Sequence, residues 1–146
     1  MTDCYNCVRE PLDLPPREAL LRTEHWRVGH AFDSALPGWL VLVPRRHVLA
    51  LDELPAAAHA ELGSLLGRLS AALRQVLGCT KTYVMQFSEA EGFEHLHVHL
   101  VPRMADQPAD RTGPRVFGYL GADAASRVSD DEQDRLAVLL GRAATT

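Results

Sequence analysis

The chain has 146 residues, of which 47% are hydrophobic and 23% are charged, and its formal net charge is −4. This length favours one domain over residues 1–146 with a complete hydrophobic core, and the composition excludes intrinsic disorder over most of the chain. The acidic balance argues against sequence-independent binding of large nucleic acids, and no apolar run approaches the roughly 20 residues of a membrane span.

The first residues contain neither the basic nor the apolar region of a signal peptide. The chain has three cysteines, and only Cys4 and Cys7 lie close together in sequence, so a disulfide framework is not expected. The predicted location is therefore a reducing cytoplasm.

Strands are predicted to dominate the first third of the chain. Residues 3–16 contain several prolines and are predicted to be irregular. Residues 19–23 and 26–32 are typical of two short strands separated by a turn. The continuous apolar run 39–43 indicates a central strand, which Pro44 is expected to end.

The longest predicted helix covers residues 52–78. Pro55 lies near its first turn, where a missing N–H costs little, and Gly78 is a typical stop signal. Apolar residues recur at a spacing of three and four and predict one buried stripe, made of Leu62, Leu65, Leu66, Leu69, Leu73, Val76 and Leu77.

Two more strands are predicted at residues 80–87 and 95–101, the second ended by Pro102. A loop over 104–121 and a last helix from Ser129 complete the chain. Consecutive strands with short links favour an antiparallel sheet. We therefore predict an α+β fold with about five antiparallel strands, one long helix and a C-terminal helix.

Three histidines alternate with apolar residues in the predicted strand 95–101. Because side chains alternate along a strand, His95, His97 and His99 are expected on one face, roughly 6.5–7 Å apart. A solvated polar face would be the plainest explanation. Two functional interpretations are open: the histidines bind a catalytic zinc that activates water, or the middle one attacks phosphorus and forms a covalent intermediate.

A second motif is the Cys-x-x-Cys formed by Cys4 and Cys7. Taken alone, this spacing is compatible with a redox pair, with half of a zinc site, or with chance. A redox pair usually opens a helix after a strand, and no strand is predicted before residue 4.

The histidine segment matches the His-φ-His-φ-His-φ-φ motif of the histidine triad (HIT) superfamily, where φ is apolar, in the order His95-Leu96-His97-Val98-His99-Leu100-Val101. The segment 38–47, Gly-Trp-Leu-Val-Leu-Val-Pro-Arg-Arg-His, resembles a second family segment. The similarity covers roughly residues 4–103, with a C-terminal loop and helix over 104–146. The chain most resembles bacterial HIT-family nucleotide hydrolases and nucleotidyltransferases.

This resemblance implies a HIT fold and the transfer or hydrolysis of nucleotidyl groups. His97 would attack the α-phosphorus, and His99 would bind a phosphate oxygen or the leaving group. The implied substrates are purine nucleotides and dinucleoside polyphosphates, and the implied assembly is a homodimer, to which a wide apolar face on the long helix would contribute. The alternative is a zinc-stabilised nucleotide-binding or regulatory module with little turnover.

The resemblance also implies ligands and substrate contacts. Cys4, Cys7, His47 and His95 correspond in type and order to the ligands of a structural zinc in relatives, which would commit His95 and argue against catalytic zinc. The residues implied to contact substrate are Asp33, Ser88 and Arg103. Three acidic residues before the histidines are unexpected beside a polyanion: Glu89, Glu91 and Glu94.

Overall fold

The computed structural model describes residues 4–145. Its strands are β1 (Leu21–Arg22), β2 (Trp26–His30), β3 (Leu40–Pro44), β4 (Lys81–Met85) and β5 (Val98–Arg103). Its helices are α1 (Tyr5–Arg9), α2 (Ala56–Leu77) and α3 (Asp130–Thr145). Short 3₁₀ turns lie at Pro16–Glu18, Leu51–Glu53, Ala109–Arg111 and Gly113–Tyr119.

The strands form one sheet in the order β1-β2-β3-β5-β4, and every neighbouring pair is antiparallel. The predicted α+β fold with a five-stranded antiparallel sheet and two principal helices is therefore confirmed. In the centre of the sheet, Val41 lies opposite both Gly29 and His99. These three residues thus share one face, because directly opposed residues point to the same side.

The two faces of the sheet have different partners. Leu42, Val98 and Leu100 are buried in the main core with the apolar side of α2. The opposite face carries Val41 and His99, and it borders a smaller apolar cluster and a cavity. Period-two alternation in β3 and β5 therefore separates the packing side of the sheet from the side that holds the histidines.

The long helix is shorter at its start than the predicted range 52–78. Residues Leu51–Glu53 form a separate 3₁₀ turn, and Leu54 is extended at φ −91°, ψ 150°. A residue that precedes proline disfavours helical geometry, so Pro55 acts as the N-cap of α2 and not as part of its first turn. The predicted stop is confirmed, because Gly78 adopts the left-handed conformation at φ 72°.

Strand β5 begins later and ends later than predicted. His95 and His97 precede its first residue, and Pro102 lies inside it, opposite Thr82. The pairing of β5 with β3 extends only as far as Leu100, so the missing N–H of Pro102 faces beyond the end of β3 and costs no ladder bond.

Two predicted irregular regions contain helical turns. The short α1 lies within residues 3–16, and two 3₁₀ turns lie within 104–121. Residues 1–3 and 146 lie outside the described chain. The start of the last helix is as predicted, since the Glu132 N–H donates to the Ser129 hydroxyl at 3.2 Å.

Helix α3 packs against α2 and covers much of its apolar face. Leu136 and Leu140 belong to the same buried cluster as Leu65 and Leu69. Much of the apolar surface that exceeds one sheet contact is thus covered within the chain, while Ala56, Ala57 and Ala60 stay exposed. The helix face therefore gives little support to a homodimer, which stays a prediction from the family resemblance.

Among residues 4–145, every helix is too short or too polar to cross a lipid bilayer.

The packing of α3 against α2 can be tested by substituting two adjacent leucines of α3. Leu140 is fully buried and Leu139 is 36% exposed. We expect Leu140→Ala to lower the free energy of unfolding by about 3 kcal/mol, because it leaves a cavity against α2, and Leu139→Ala to lower it by well under half of that. Urea denaturation of both variants measures the difference. Equal losses would contradict the packing of α3 on α2.

Candidate functional site

The main chain of His97 lies where β4 has already ended. Met85, the last residue of β4, pairs with His99, so the backbone of His97 has no partner residue in the ladder. The Ser88 hydroxyl takes that place: it accepts the His97 N–H at 3.0 Å and lies 3.4 Å from the His97 carbonyl oxygen, to which it donates. On the other side, the Leu96 N–H donates to the Val48 carbonyl at 2.8 Å. His97 is therefore held in register although it lies outside the strand.

Ser88 adopts an unusual backbone conformation to reach His97. Its φ of 56° is the only positive value at a non-glycine residue in the described chain. The amide of Gln86 donates to the Ser88 hydroxyl at 3.0 Å. Such conformations carry local strain and persist where the surrounding contacts fix them. The structure thus directs the Ser88 hydroxyl to the main chain of His97, and the substrate contact that the resemblance implies for Ser88 stays a prediction.

A cavity of about 650 Å³ lies on the sheet face opposite α2. Gly29, Val41 and Val43 form part of its lining on the sheet, and His97 and His99 both line it. Ligand pockets commonly have volumes of about 300–1,000 Å³, so this one is large enough for a nucleotide.

The hydrogen bonds of His97 fix which nitrogen carries its proton. Nδ1 lies 2.9 Å from the carbonyl oxygen of His95. A carbonyl only accepts, so Nδ1 must be the protonated nitrogen of the neutral ring. Nε2 then keeps its lone pair, which is the requirement for a nucleophile or a general base.

His99 has the opposite tautomer. The indole N–H of Trp39 donates to His99 Nδ1 at 3.0 Å, so the proton of the neutral ring lies on Nε2. Burial of the ring, followed by the nearby His97, lowers the pKa of His99 to about 4. The two rings lie 5.0 Å apart at 82°. The site therefore contains two neighbouring rings, one with a free lone pair and one with an N–H donor, and His99 is neutral near pH 7.

The cavity has a cationic component. Four arginines line it, Arg9, Arg17, Arg27 and Arg127, together with three acids, Glu18, Asp33 and Asp130. Arg27 is 5% exposed, and among the described residues its Nη2 has no hydrogen-bond partner. The acidic residues that the sequence analysis found unexpected, Glu89, Glu91 and Glu94, are all exposed and lie outside the lining.

The predicted substrate contacts have different positions. Asp33 lines the cavity, and its carboxylate accepts the Gly121 N–H at 3.0 Å. Arg103 lies outside the lining and ends β5. It follows His97 by six residues of extended chain, which is about 20 Å at the rise of a strand. Arg103 is close to His97 in sequence but distant in space, because the extended chain of β5 separates them.

The four predicted metal ligands converge. Their donor atoms all lie within 4.8 Å of one another, with Cys7 Sγ 3.3 Å from His47 Nδ1 and 3.6 Å from His95 Nδ1. Cys4 Sγ lies 3.5 Å from His95 Nδ1, and the two Nδ1 atoms are 3.2 Å apart.

These separations fit a tetrahedral metal ion. Bonds of about 2.3 Å to sulfur and about 2.05 Å to nitrogen, at tetrahedral angles, place sulfur and nitrogen about 3.5 Å apart and two nitrogens about 3.3 Å apart. The far nitrogen of His95, Nε2, lies 2.8 Å from the Pro44 carbonyl oxygen. That contact assigns the proton to Nε2 and leaves Nδ1 for a metal.

Sequence reasoning missed Trp39 and Gln86. Trp39 directly precedes β3, and alternation from Val41 places it on the same face as His99. That register could have identified it as the partner of His99. Gln86 carried no comparable signal, because its role depends on the positive φ of Ser88.

Comparison with known proteins adds to this geometry. A family model described as HIT domain matches residues 15–106. The solved structures that resemble the chain include a zinc-bound histidine triad family protein from Mycobacterium smegmatis, 19% identical with a TM-score of 0.70 over 99% of this chain and 94% of that one. No curated protein sequence matches the chain.

Two further structures have the same fold. A hypothetical histidine triad nucleotide-binding protein from Sulfolobus tokodaii is 14% identical, with a TM-score of 0.72 over 97% of this chain and 92% of that one. A histidine triad protein from Bradyrhizobium japonicum is 25% identical, with a TM-score of 0.69 over 85% of this chain and 87% of that one.

The depressed pKa of His99 predicts how stability depends on pH. The unfolded chain takes up this proton near pH 6.5 and the folded chain only near pH 4, so the stabilising contribution is complete above pH 6.5 and is lost as the pH falls towards 4. From pH 7 to pH 5 we expect His99 to account for a loss of about 2 kcal/mol in the free energy of unfolding.

The matched variant is His99→Asn, whose amide oxygen can still accept from Trp39 but does not titrate. Urea denaturation of both proteins at pH 7 and pH 5 gives each loss of unfolding free energy, and the difference between the two losses is the His99 contribution. The pH dependence of the cluster Cys4, Cys7, His47 and His95 is the same in both proteins and cancels in this difference. Equal losses in wild type and variant would show that His99 titrates normally.

Proposed function

Because the chain belongs to the histidine triad family, we propose that it is a nucleotidyl hydrolase or nucleotidyltransferase that acts through a covalent intermediate on His97. The observation that carries this proposal is the pair of opposite tautomers in the cavity. The two ring centroids lie 5.0 Å apart, His97 keeps a lone pair on Nε2, His99 carries an N–H on Nε2, and each tautomer is fixed by a hydrogen bond to the protein.

The proposed reaction has two displacements at phosphorus. The Nε2 lone pair of His97 attacks the α-phosphorus, a P–N bond forms, and the bond from phosphorus to the leaving group breaks with its electron pair. Water, or another acceptor, then attacks the same phosphorus, the P–N bond breaks, and the acceptor proton passes to the departing products or to solvent. The Nδ1–H bond to the His95 carbonyl stabilises the cationic ring that exists between the steps.

His99 is proposed to bind the oxygens of the transferred phosphoryl group. The hydrogen bond from Trp39 to Nδ1 places the proton on Nε2, and the lowered pKa of His99 keeps the ring neutral at pH 7. A donor that is positioned before the reaction needs no reorganisation when negative charge develops on phosphate oxygen, which is the usual basis of such stabilisation.

The proposed substrates are purine nucleotides or dinucleoside polyphosphates, cleaved at a phosphoanhydride or phosphoramidate bond. The cavity volume and its arginines support a small anionic ligand, and Asp33 lies in the lining where a carboxylate can accept from a ribose hydroxyl. The Sulfolobus tokodaii protein of the same fold is named as nucleotide-binding. Direct contacts from Ser88 and Arg103 are not part of the proposal, because both lie outside the lining.

The proposed metal is a structural zinc bound by Cys4, Cys7, His47 and His95. Two thiolates and two imidazoles would fill all four positions of a tetrahedral zinc, and the bound ion would cross-link the N-terminal segment to the sheet. The Mycobacterium smegmatis structure of the same fold is described as zinc-bound. Metal-binding thiols must stay reduced, which supports the predicted cytoplasmic location.

The homodimer remains part of the proposal on the basis of the family. Strand β4 lies at the edge of the sheet, and Val84 within it and Phe87 just beyond it are 54% and 62% exposed. Exposed apolar residues on a sheet edge are a common site of association. Light scattering at micromolar concentration is expected to give twice the chain mass of 16.1 kDa.

The central test of the chemistry is His97→Ala. We expect the variant to lose turnover of a responsive nucleotide by about three orders of magnitude or more, while nucleotide affinity is largely kept, because the nucleophile is removed and the cavity is not. The substrate panel comprises diadenosine polyphosphates, adenosine phosphoramidate and nucleotide sugars. Mass spectrometry of the denatured wild type, quenched within one turnover, should find one nucleotidyl group.

The matched control is His59→Ala, since His59 is an exposed histidine on α2. Turnover by His97→Ala at the wild-type rate would contradict the role of His97. Nucleotide binding by the wild type without turnover of any panel member would instead support the alternative of a binding or regulatory module.

The zinc proposal predicts about one zinc per chain in protein purified without chelator. Cys4→Ser should lower this content strongly, because one thiolate of the tetrahedral set is lost. Cys79→Ala should retain it, since Cys79 is buried in the main core and outside the cluster. Elemental analysis of the three proteins measures the effect, and wild-type zinc content in Cys4→Ser would contradict the ligand assignment.

A further inference from the structure

The metal cluster and the cavity share one short segment of chain. Tyr5 and Asn6 lie between the two cysteine ligands, and both line the cavity. The two residues enclosed by the Cys-x-x-Cys motif are thus part of the wall that faces His97 and His99. A change in the position of α1 would change the shape of that wall.

Tyr5 belongs to a group of three aromatic rings in the cavity lining. Its ring centroid lies 5.6 Å from that of Phe32 and 5.5 Å from that of Phe93, and the latter two are 6.1 Å apart. The rings come from three separate segments: α1, the connection from β2 to β3, and the loop before the histidines. Aromatic rings in a nucleotide-sized cavity suit a planar heteroaromatic base.

Apart from its cysteines, helix α1 is held by the aromatic contacts of Tyr5 and by ion pairs. It contains no buried residue. Arg9 pairs with Glu18, and just after the helix Glu10 pairs with Arg27 and Arg45. None of these contacts restrains the two cysteine side chains, whereas a metal bound by Cys4 and Cys7 would fix both ends of the Cys-x-x-Cys turn.

We propose that Tyr5 is a specificity-determining residue that stacks on the base of the bound nucleotide, and that metal occupancy of the cluster sets nucleotide affinity by holding Tyr5 in the cavity wall. This inference rests on the proposed nucleotide substrate. It adds Tyr5 as the residue that recognises the base and the bound metal as the factor that positions Tyr5. The chemistry at His97 does not depend on Tyr5.

Linkage gives the proposal a quantitative form. If metal binding raises the affinity for nucleotide by some factor, nucleotide binding must raise the affinity for metal by the same factor. Stacking of one base on an aromatic side chain typically changes affinity by about tenfold or more when the ring is removed. The effect must also require a base, because ribose and phosphate have no face that stacks on Tyr5.

The test compares adenosine 5′-monophosphate (AMP) with ribose 5-phosphate as ligands of the zinc-loaded protein, by calorimetric or NMR titration. We expect Tyr5→Ala to weaken AMP binding about tenfold, Tyr5→Phe to retain it, and neither to change ribose 5-phosphate binding. Tyr119→Ala is the matched control, because the Tyr119 ring contacts Arg111 and lies outside the lining.

A second arm removes the metal. Chelation of the wild type, with the fold checked by circular dichroism, should weaken AMP binding about as much as Tyr5→Ala does, and chelation of Tyr5→Ala should add little. Zinc affinity, measured by competition with a chromophoric chelator, should rise in the presence of AMP by the same factor. If the metal-free protein unfolds, the Tyr5 variants in the loaded protein decide the question.

The outcomes separate this inference from the proposed function. Wild-type AMP affinity in loaded Tyr5→Ala, or an equal effect of Tyr5→Ala on ribose 5-phosphate, would overturn the inference while leaving turnover through His97 intact. Failure of the loaded wild type to bind AMP and to turn over any nucleotide would overturn both.

Discussion

The position of His97, the proposed nucleophile, depends on one hydroxyl group that takes the place of a neighbouring strand. Strand β4 stops two residues too early to pair with His97, and the Ser88 hydroxyl satisfies the N–H and the carbonyl that the missing residues would have bound. An unpaired main chain at this point would be both costly and mobile. Because the Nδ1 of His97 binds the main chain of His95, the direction of its ring follows from the same alignment.

The two cavity histidines become complementary through unlike partners. His97 contacts a main-chain carbonyl, which accepts, and His99 contacts an indole N–H, which donates. Two chemically equal side chains on one face therefore acquire opposite roles without any charge. The partner of His97 is the main chain of His95, within the motif, whereas the partner of His99 lies outside the motif, since Trp39 belongs to the segment that precedes β3.

The sequence predicted the sheet, both long helices and the shared face of His97 and His99, because hydrophobic periodicity records which side of each element is buried. The metal ligands could be grouped only through the family resemblance, since nothing local relates Cys4 to His95, 91 positions away. Local pattern also did not show that Ser88 binds the main chain of His97, because this contact depends on its positive φ, or that Arg103 lies outside the cavity lining, because β5 separates it from His97.

Part of the cavity wall lies outside the region that the family model matches. Tyr5, Asn6 and Arg9 precede that region, and Arg127, Asp130 and Gln133 follow it, whereas His97 and His99 lie within it. The cavity wall thus combines residues of the matched region with residues from both ends of the chain. Substitutions near either terminus would alter the shape and charge of this wall while His97 and His99 keep their alignment, so ligand preference in such a protein can diverge without changes in the strand that carries the two histidines.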